Sequence, residues 1–86
     1  MILKTISTGS SGNCYLLVAD SGEILILDAG VPVKDIKKGL GWNIRDVVGC
    51  VVTHEHKDHS RSVKDLRAMG IKVFAPYRSL DDINAD

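Results

Sequence analysis

Three histidines, His54, His56 and His59, fall with Asp58 inside the stretch VVTHEHKDHS, and the rest of the chain has no histidine. Imidazole and carboxylate are the side chains on which proton transfer and metal coordination draw most heavily. In extended backbone, residues i and i+2 point the same way, so His54 and His56 can reach one ion together as the chain leaves a strand. Asp58 and His59 follow a bend, at the entrance to a helix, and can face a second ion beside the first. Two ions about 3.5–4 Å apart would clamp the attacking and leaving oxygens of a displacement reaction. Mixed imidazole and carboxylate donors suit Zn²⁺ best, with Mn²⁺ or Fe²⁺ also compatible. The bland alternatives are a loop of solvated polar residues or a lone structural zinc.

A helical zinc motif of the form H-E-x-x-H starts correctly with His54 and Glu55, but its second histidine falls on Asp58. His59 is one residue too far along to share that helical face, so the metalloprotease reading fails.

Around the cluster, strands and helices alternate. Residues 2–6 read as a short strand, followed by the polar, Gly-rich turn STGSSGN at 7–13. Strands are expected at 14–19 and 23–28, joined by a hairpin at DSG. The run Ile24-Leu25-Ile26-Leu27 suggests a strand that needs cover on both faces. A helix fits 33–40, where Val33, Ile36, Lys37 and Leu40 have helical spacing and Gly39 and Gly41 mark the end. NIRDVV at 43–48 is ambiguous, a helical turn leading into a strand at 49–53 that delivers the cluster. Residues 62–70 read as a helix with Ser62 and Asp65 at capping-box spacing and Gly70 at its end. A strand at 71–75 stops at Pro76, and 79–86 begins another helix.

This alternation argues for an α/β domain. Two short helices cover one sheet face only. The other face is expected to expose an apolar patch, through which the chain would self-associate. The basic side of the 62–70 helix, Arg61, Lys64 and Arg67 with Lys57 nearby, could attract an anionic substrate; its plain reading is a solvated face opposite the apolar Val63, Leu66 and Met69. The STGSSGN turn could cradle a phosphate with its N–H groups, and is otherwise a simple connection.

Composition sets the outer bounds. With 86 residues, 44% hydrophobic, and 11 basic residues balanced by 11 acidic ones, there is room for one domain and no net charge to draw a polyanion in bulk. No apolar run approaches the roughly 18 residues of a membrane span. The N-terminus lacks a secretory hydrophobic segment. The two cysteines, Cys14 and Cys50, are therefore expected to be reduced, small buried hydrophobes in a cytoplasmic protein.

THEHKDH resembles the H-x-H-x-D-H signature of the metallo-beta-lactamase superfamily, with Glu55 and Lys57 in the variable slots. LILDAG, ending a strand in Asp28, is similar to the early Asp-x-Gly motif of that superfamily. GSSGNCYLLV resembles the opening of a bacterial and phage branch of hydrolases, some described as DNA exonuclease-like. The resemblance spans nearly the whole chain. It implies that residues 1–86 form a single partial domain, the N-terminal half of an αββα sandwich.

The resemblance also implies roles. His54 and His56 would ligate the first metal, and Asp58 and His59 the second. A bridging hydroxide would be the nucleophile, with Asp58 orienting that water and taking its proton. Asp28 would stand behind them, holding a ligand or the cluster loop in place. The implied activity is hydrolysis of a phosphoester or acyl bond, with a nucleic-acid phosphodiester favoured by the opening motif; thioester or lactone hydrolysis is the enzymatic alternative. Family members continue further and supply a third histidine for the first metal, a bridging carboxylate and a final histidine, none of which occurs here. Ser62 also stands where many relatives carry glycine. The runner-up is therefore a non-catalytic module that folds alone or assembles with another chain, since weak metal binding and little activity are expected without those ligands.

Overall fold

The computed structural model describes residues 1–54 and 56–75, without the side chains of Lys57 and Asp58. Glu55, the stop at Pro76 and the helix expected at 79–86 lie outside the described residues.

Five strands form one sheet in the order β1-β2-β3-β4-β5. They are β1 (Ile2–Ser7), β2 (Cys14–Val18), β3 (Ile24–Leu27), β4 (Val47–Val51) and β5 (Val73–Phe74), interleaved with α1 (Val33–Gly39), α2 (Lys57–Ser60) and α3 (Val63–Ala68). β1, β2 and β3 run antiparallel, whereas β3, β4 and β5 run parallel. The change follows from connection length: the tight DSG turn permits only antiparallel return, while α1 and α3 each supply a crossover. Ala19 accepts from the Gly22 N–H at 2.9 Å and donates to Glu23 O at 2.8 Å, closing that hairpin.

Register assigns every side chain to a face. Leu16, Ile26, Cys50 and Val73 pair in one row across four strands, and all four are buried. Ile36 of α1 and Leu66 of α3 lie fully buried in the same core cluster, each contributing about 1.5–3 kcal/mol by leaving water. Both crossovers advance in the same direction along the sheet, so the right-handed rule puts both helices on one side. The opposite face carries the rows Leu3–Leu17–Leu25–Gly49 and Tyr15–Leu27–Val51–Phe74. Leu3 and Phe74 are 58% and 53% exposed, and Leu17, Leu25, Leu27 and Val51 are half-buried. Among the described residues nothing covers this face, so β3 is buried on one side only, although its apolar run is suited to cover on both.

Several boundaries differ from the sequence reading. β4 begins at Val47 rather than 49 and ends at Val51, because the register against β3 slips between Ile24 and Leu25 and absorbs Val48. The strand expected at 71–75 shortens to Val73–Phe74. The expected capping box is absent: Ser62 precedes α3 but makes no side-chain cap. Its buried hydroxyl instead donates to the Val31 carbonyl, answering an acceptor in the loop after β3 rather than its own helix. The main chain of Gly70 does adopt positive φ, 86°, just past α3. No helix among the described residues is long and apolar enough to cross a membrane.

Candidate metal centre

Parallel pairing puts the C-terminal ends of β3 and β4 side by side. β3 ends next to Asp28 and β4 runs out through Val52 and Thr53 to His54. Asp28 N–H donates to Val51 O at 2.7 Å, which locks the two exits together. β2 is antiparallel to β3, so its start brings Asn13 and the 7–13 turn to the same end of the sheet. Three segments distant in sequence therefore meet where loops, rather than ladders, decide what the side chains do.

Asp28 is the hub. It takes the left-handed conformation at φ 62°, which a short polar side chain tolerates better than most, and it is only 5% exposed. Its Oδ1 accepts from the Thr53 backbone N–H at 2.7 Å, and Thr53 Oγ1 lies 2.9 and 3.0 Å from its two oxygens. His59 Nδ1 sits 2.9 Å from Oδ2. Thr53 Oγ1 also lies 2.9 Å from His54 Nδ1. His54 and His59 face one another with ring centroids 4.4 Å apart and planes tilted by 39°. One buried carboxylate thus reaches both rings, His59 directly and His54 through a hydroxyl.

Backbone bonds pin the surroundings. Ala29 N–H donates to His59 O at 2.6 Å, Ser62 N–H to Ala29 O at 2.8 Å and Gly30 N–H to Asn13 O at 2.9 Å. The His56 carbonyl accepts the N–H groups of His59 and Ser60 and the Ser60 hydroxyl, so His56 forms the bend from which α2 starts. Asn13, nearly buried, ties its own loop: its Oδ1 accepts from Gly9 N–H at 3.1 Å and its Nδ2 donates to Gly9 O at 3.0 Å. The same Nδ2 lies 3.5 Å from His59 Nε2. Gly12, at φ 142°, approaches the loop after β3 so closely that a Cβ there would stand 2.4 Å from Gly30 O.

Of the residues singled out from sequence, the structure brings Asp28, His54 and His59 together. His56 is exposed, and among the described residues its ring takes no part in this network. The backbone of Asp58 lies in α2; its side chain lies outside the described residues. No group of three or more His, Cys, Asp or Glu side chains poised for a metal occurs among the described residues. Thr53 and Asn13 were not foreseen as site residues. The signal for Thr53 was its hydroxyl immediately before His54; for Asn13 there was only its place at the end of a Gly-rich turn.

Cys14 and Cys50 belong to the core cluster. Both are free and buried. Burial, then the Asp28 carboxylate, pushes the Cys14 thiol up to about 12. Burial, then Cys14 and Asp28, does the same for Cys50. Neither supplies a thiolate near neutral pH.

The model of the metallo-beta-lactamase superfamily matches residues 7–77. The chain is 36% identical over 76 residues to the exodeoxyribonuclease YycJ of Bacillus anthracis, covering 84% of this chain and 28% of that protein. The crystal structure of the BLEG-1 B3 metallo-beta-lactamase superposes with a TM-score of 0.71 at 28% identity, over 84% of this chain and 35% of that one. The DIM-1 metallo-beta-lactamase, at 19% identity, shares the fold with a TM-score of 0.64 over 85% of this chain and 41% of that one. The chain thus spans less than half the length of each of these proteins.

Proposed function

Because the chain belongs to the metallo-beta-lactamase superfamily, we propose that VVTHEHKDHS is the cation-binding segment of a hydrolase that cleaves nucleic-acid phosphodiesters. The observation that carries this reading is the buried Asp28 carboxylate, which engages His59 Nδ1 and, through Thr53, His54 Nδ1. A buried acceptor spent on orienting two neighbouring imidazoles is the arrangement that metal-ligating histidines need. The donor chemistry fits: imidazoles and a carboxylate suit Zn²⁺, with Mn²⁺ or Fe²⁺ compatible. His54 and His56 would hold one ion, and Asp58 and His59 a second.

Bound there, such ions would polarise the scissile bond and lower the pKa of water to near 7. Asp58 would orient the attacking water and accept its proton. Asp28 keeps the rings aimed and the cluster loop seated against the exit of β3. The phosphodiester assignment is supported by the likeness to an exodeoxyribonuclease and by the exposed Arg61 and Lys64 that follow the cluster in the chain, which would attract an anionic substrate. The two free thiols support a cytoplasmic setting.

A second reading, a non-catalytic module completed by another chain, is favoured by the open face of Leu3, Leu17, Leu25, Leu27 and Phe74. Metal analysis and turnover of a generic phosphodiester, by this chain and by a polypeptide extended to the length of the relatives, separate the two. We expect weak zinc binding here and turnover in the longer polypeptide, lost in its His59→Ala variant. Zinc binding without turnover in the longer polypeptide favours the second reading; zinc bound by neither defeats the metal assignment.

A further inference from the structure

With Asp28 as an ionised carboxylate, the hydrogen count around it favours one arrangement. Thr53 Oγ1 carries one hydrogen but lies within hydrogen-bond distance of the Asp28 carboxylate and of His54 Nδ1. A carboxylate accepts only. If the hydroxyl turned its hydrogen to His54, its lone pairs would face both oxygens of the buried Asp28 at 2.9 and 3.0 Å, a repulsive contact. The hydrogen therefore goes to Asp28, and Thr53 Oγ1 must accept from His54 Nδ1–H. His59 Nδ1, 2.9 Å from Oδ2, is a donor for the same reason.

We infer that Thr53 is a positioning residue that passes the accepting character of Asp28 on to His54, holding that ring as its Nδ1–H tautomer with the lone pair on Nε2. Asp28 does the same to His59 without an intermediary. A single carboxylate thus sets both imidazoles in the form that can ligate a cation, before any cation arrives. In water an imidazole divides between two tautomers, so fixing both in advance removes a cost from binding. This inference rests on the metal reading for its purpose, but the tautomer assignment stands or falls by itself.

The test is nitrogen NMR of the ring nitrogens in the metal-free chain at about pH 8.5, two units above the ordinary imidazole value. Wild type should show Nδ1–H for both His54 and His59. Thr53→Val, which keeps the shape and removes the hydroxyl, should release His54 to a mixture or to Nε2–H and leave His59 unchanged. Thr53→Ser should restore His54. A matching zinc titration should show Thr53→Val binding about 10-fold or more weakly and Thr53→Ser near wild type. Wild-type His54 found as Nε2–H, or a His54 tautomer indifferent to Thr53→Val, overturns the inference; the wild-type spectrum decides even if Thr53→Val does not fold. Absence of zinc binding by wild type with the expected tautomers would defeat the metal reading and leave the relay standing.

Discussion

Asp28→Asn is the most informative single change in this chain. The two side chains have the same shape, and asparagine accepts the left-handed backbone that position 28 adopts at φ 62°, so packing and main chain stay as they are. What changes is that one of two acceptor oxygens becomes an NH₂ group. If the amide oxygen stays with the Thr53 N–H at 2.7 Å, the NH₂ group faces His59 Nδ1 across 2.9 Å. Two donors then confront each other at a site only 5% exposed. His59 can relieve this by moving its hydrogen to Nε2, which silences the atom that should face a cation. Losing a bond to a charged group, or leaving a buried donor unpaired, costs about 1–3 kcal/mol. With a urea slope near 1 kcal/mol/M for a small domain, the unfolding midpoint should fall by about 1 M or more. Zinc affinity should fall about 10–100-fold. Urea melts of the metal-free protein and calorimetric zinc titration measure the two effects separately. A variant within about 0.5 kcal/mol of wild type and with unchanged zinc affinity would refute the hub role of Asp28.

Gly12→Ala places a methyl 2.4 Å from Gly30 O at φ 142°, so we expect a loss of about 1–3 kcal/mol in thermal unfolding; an unchanged melting temperature would contradict the close approach of the two loops. Burial pushes the Cys14 and Cys50 thiols in the folded chain up from 9.0 to about 12. The unfolded state therefore loses these protons first, and their contribution to stability, complete below the unfolded value, declines as pH rises towards the folded one. Cys14→Ala/Cys50→Ala should flatten that alkaline decline, and an identical pH profile would count against it. The open sheet face should drive concentration-dependent association in sedimentation, abolished by Leu17→Lys/Leu25→Lys on the half-buried row; a monodisperse wild-type monomer would contradict this.

Much of the architecture is written in local patterns. The DSG turn, the apolar runs of β2 and β3 and the 3.6-residue spacing of α1 each specify their element without help from distant residues. The cluster's place just past β4 followed from the strand that precedes it. The edges of β4 and β5 were less legible, because pairing partners, not propensity, decide where a ladder starts: Val48 is absorbed by a slip against β3, and β5 pairs only through Val73 and Phe74. Ser62 followed the same logic. Its spacing to Asp65 suggested a cap, yet the nearby Val31 carbonyl claimed its hydroxyl. At the site, Asp28 was readable through the resemblance of LILDAG to an Asp-x-Gly motif, not from local spacing. Thr53 was not, because its importance arises only when parallel pairing sets it beside a carboxylate 25 residues earlier. Asn13 reaches His59 across 46 residues, a relation no local pattern encodes.

Whether these imidazoles and carboxylates hold cations is tested by anomalous diffraction from crystals of the chain grown with zinc. A zinc peak is expected about 2.0–2.1 Å from Nε2 of His54 or of His59, with Asp28 still bound to Nδ1 of His59. Zinc found only elsewhere, or the two rings turned away from each other with no metal between the exits of β3 and β4, would contradict it.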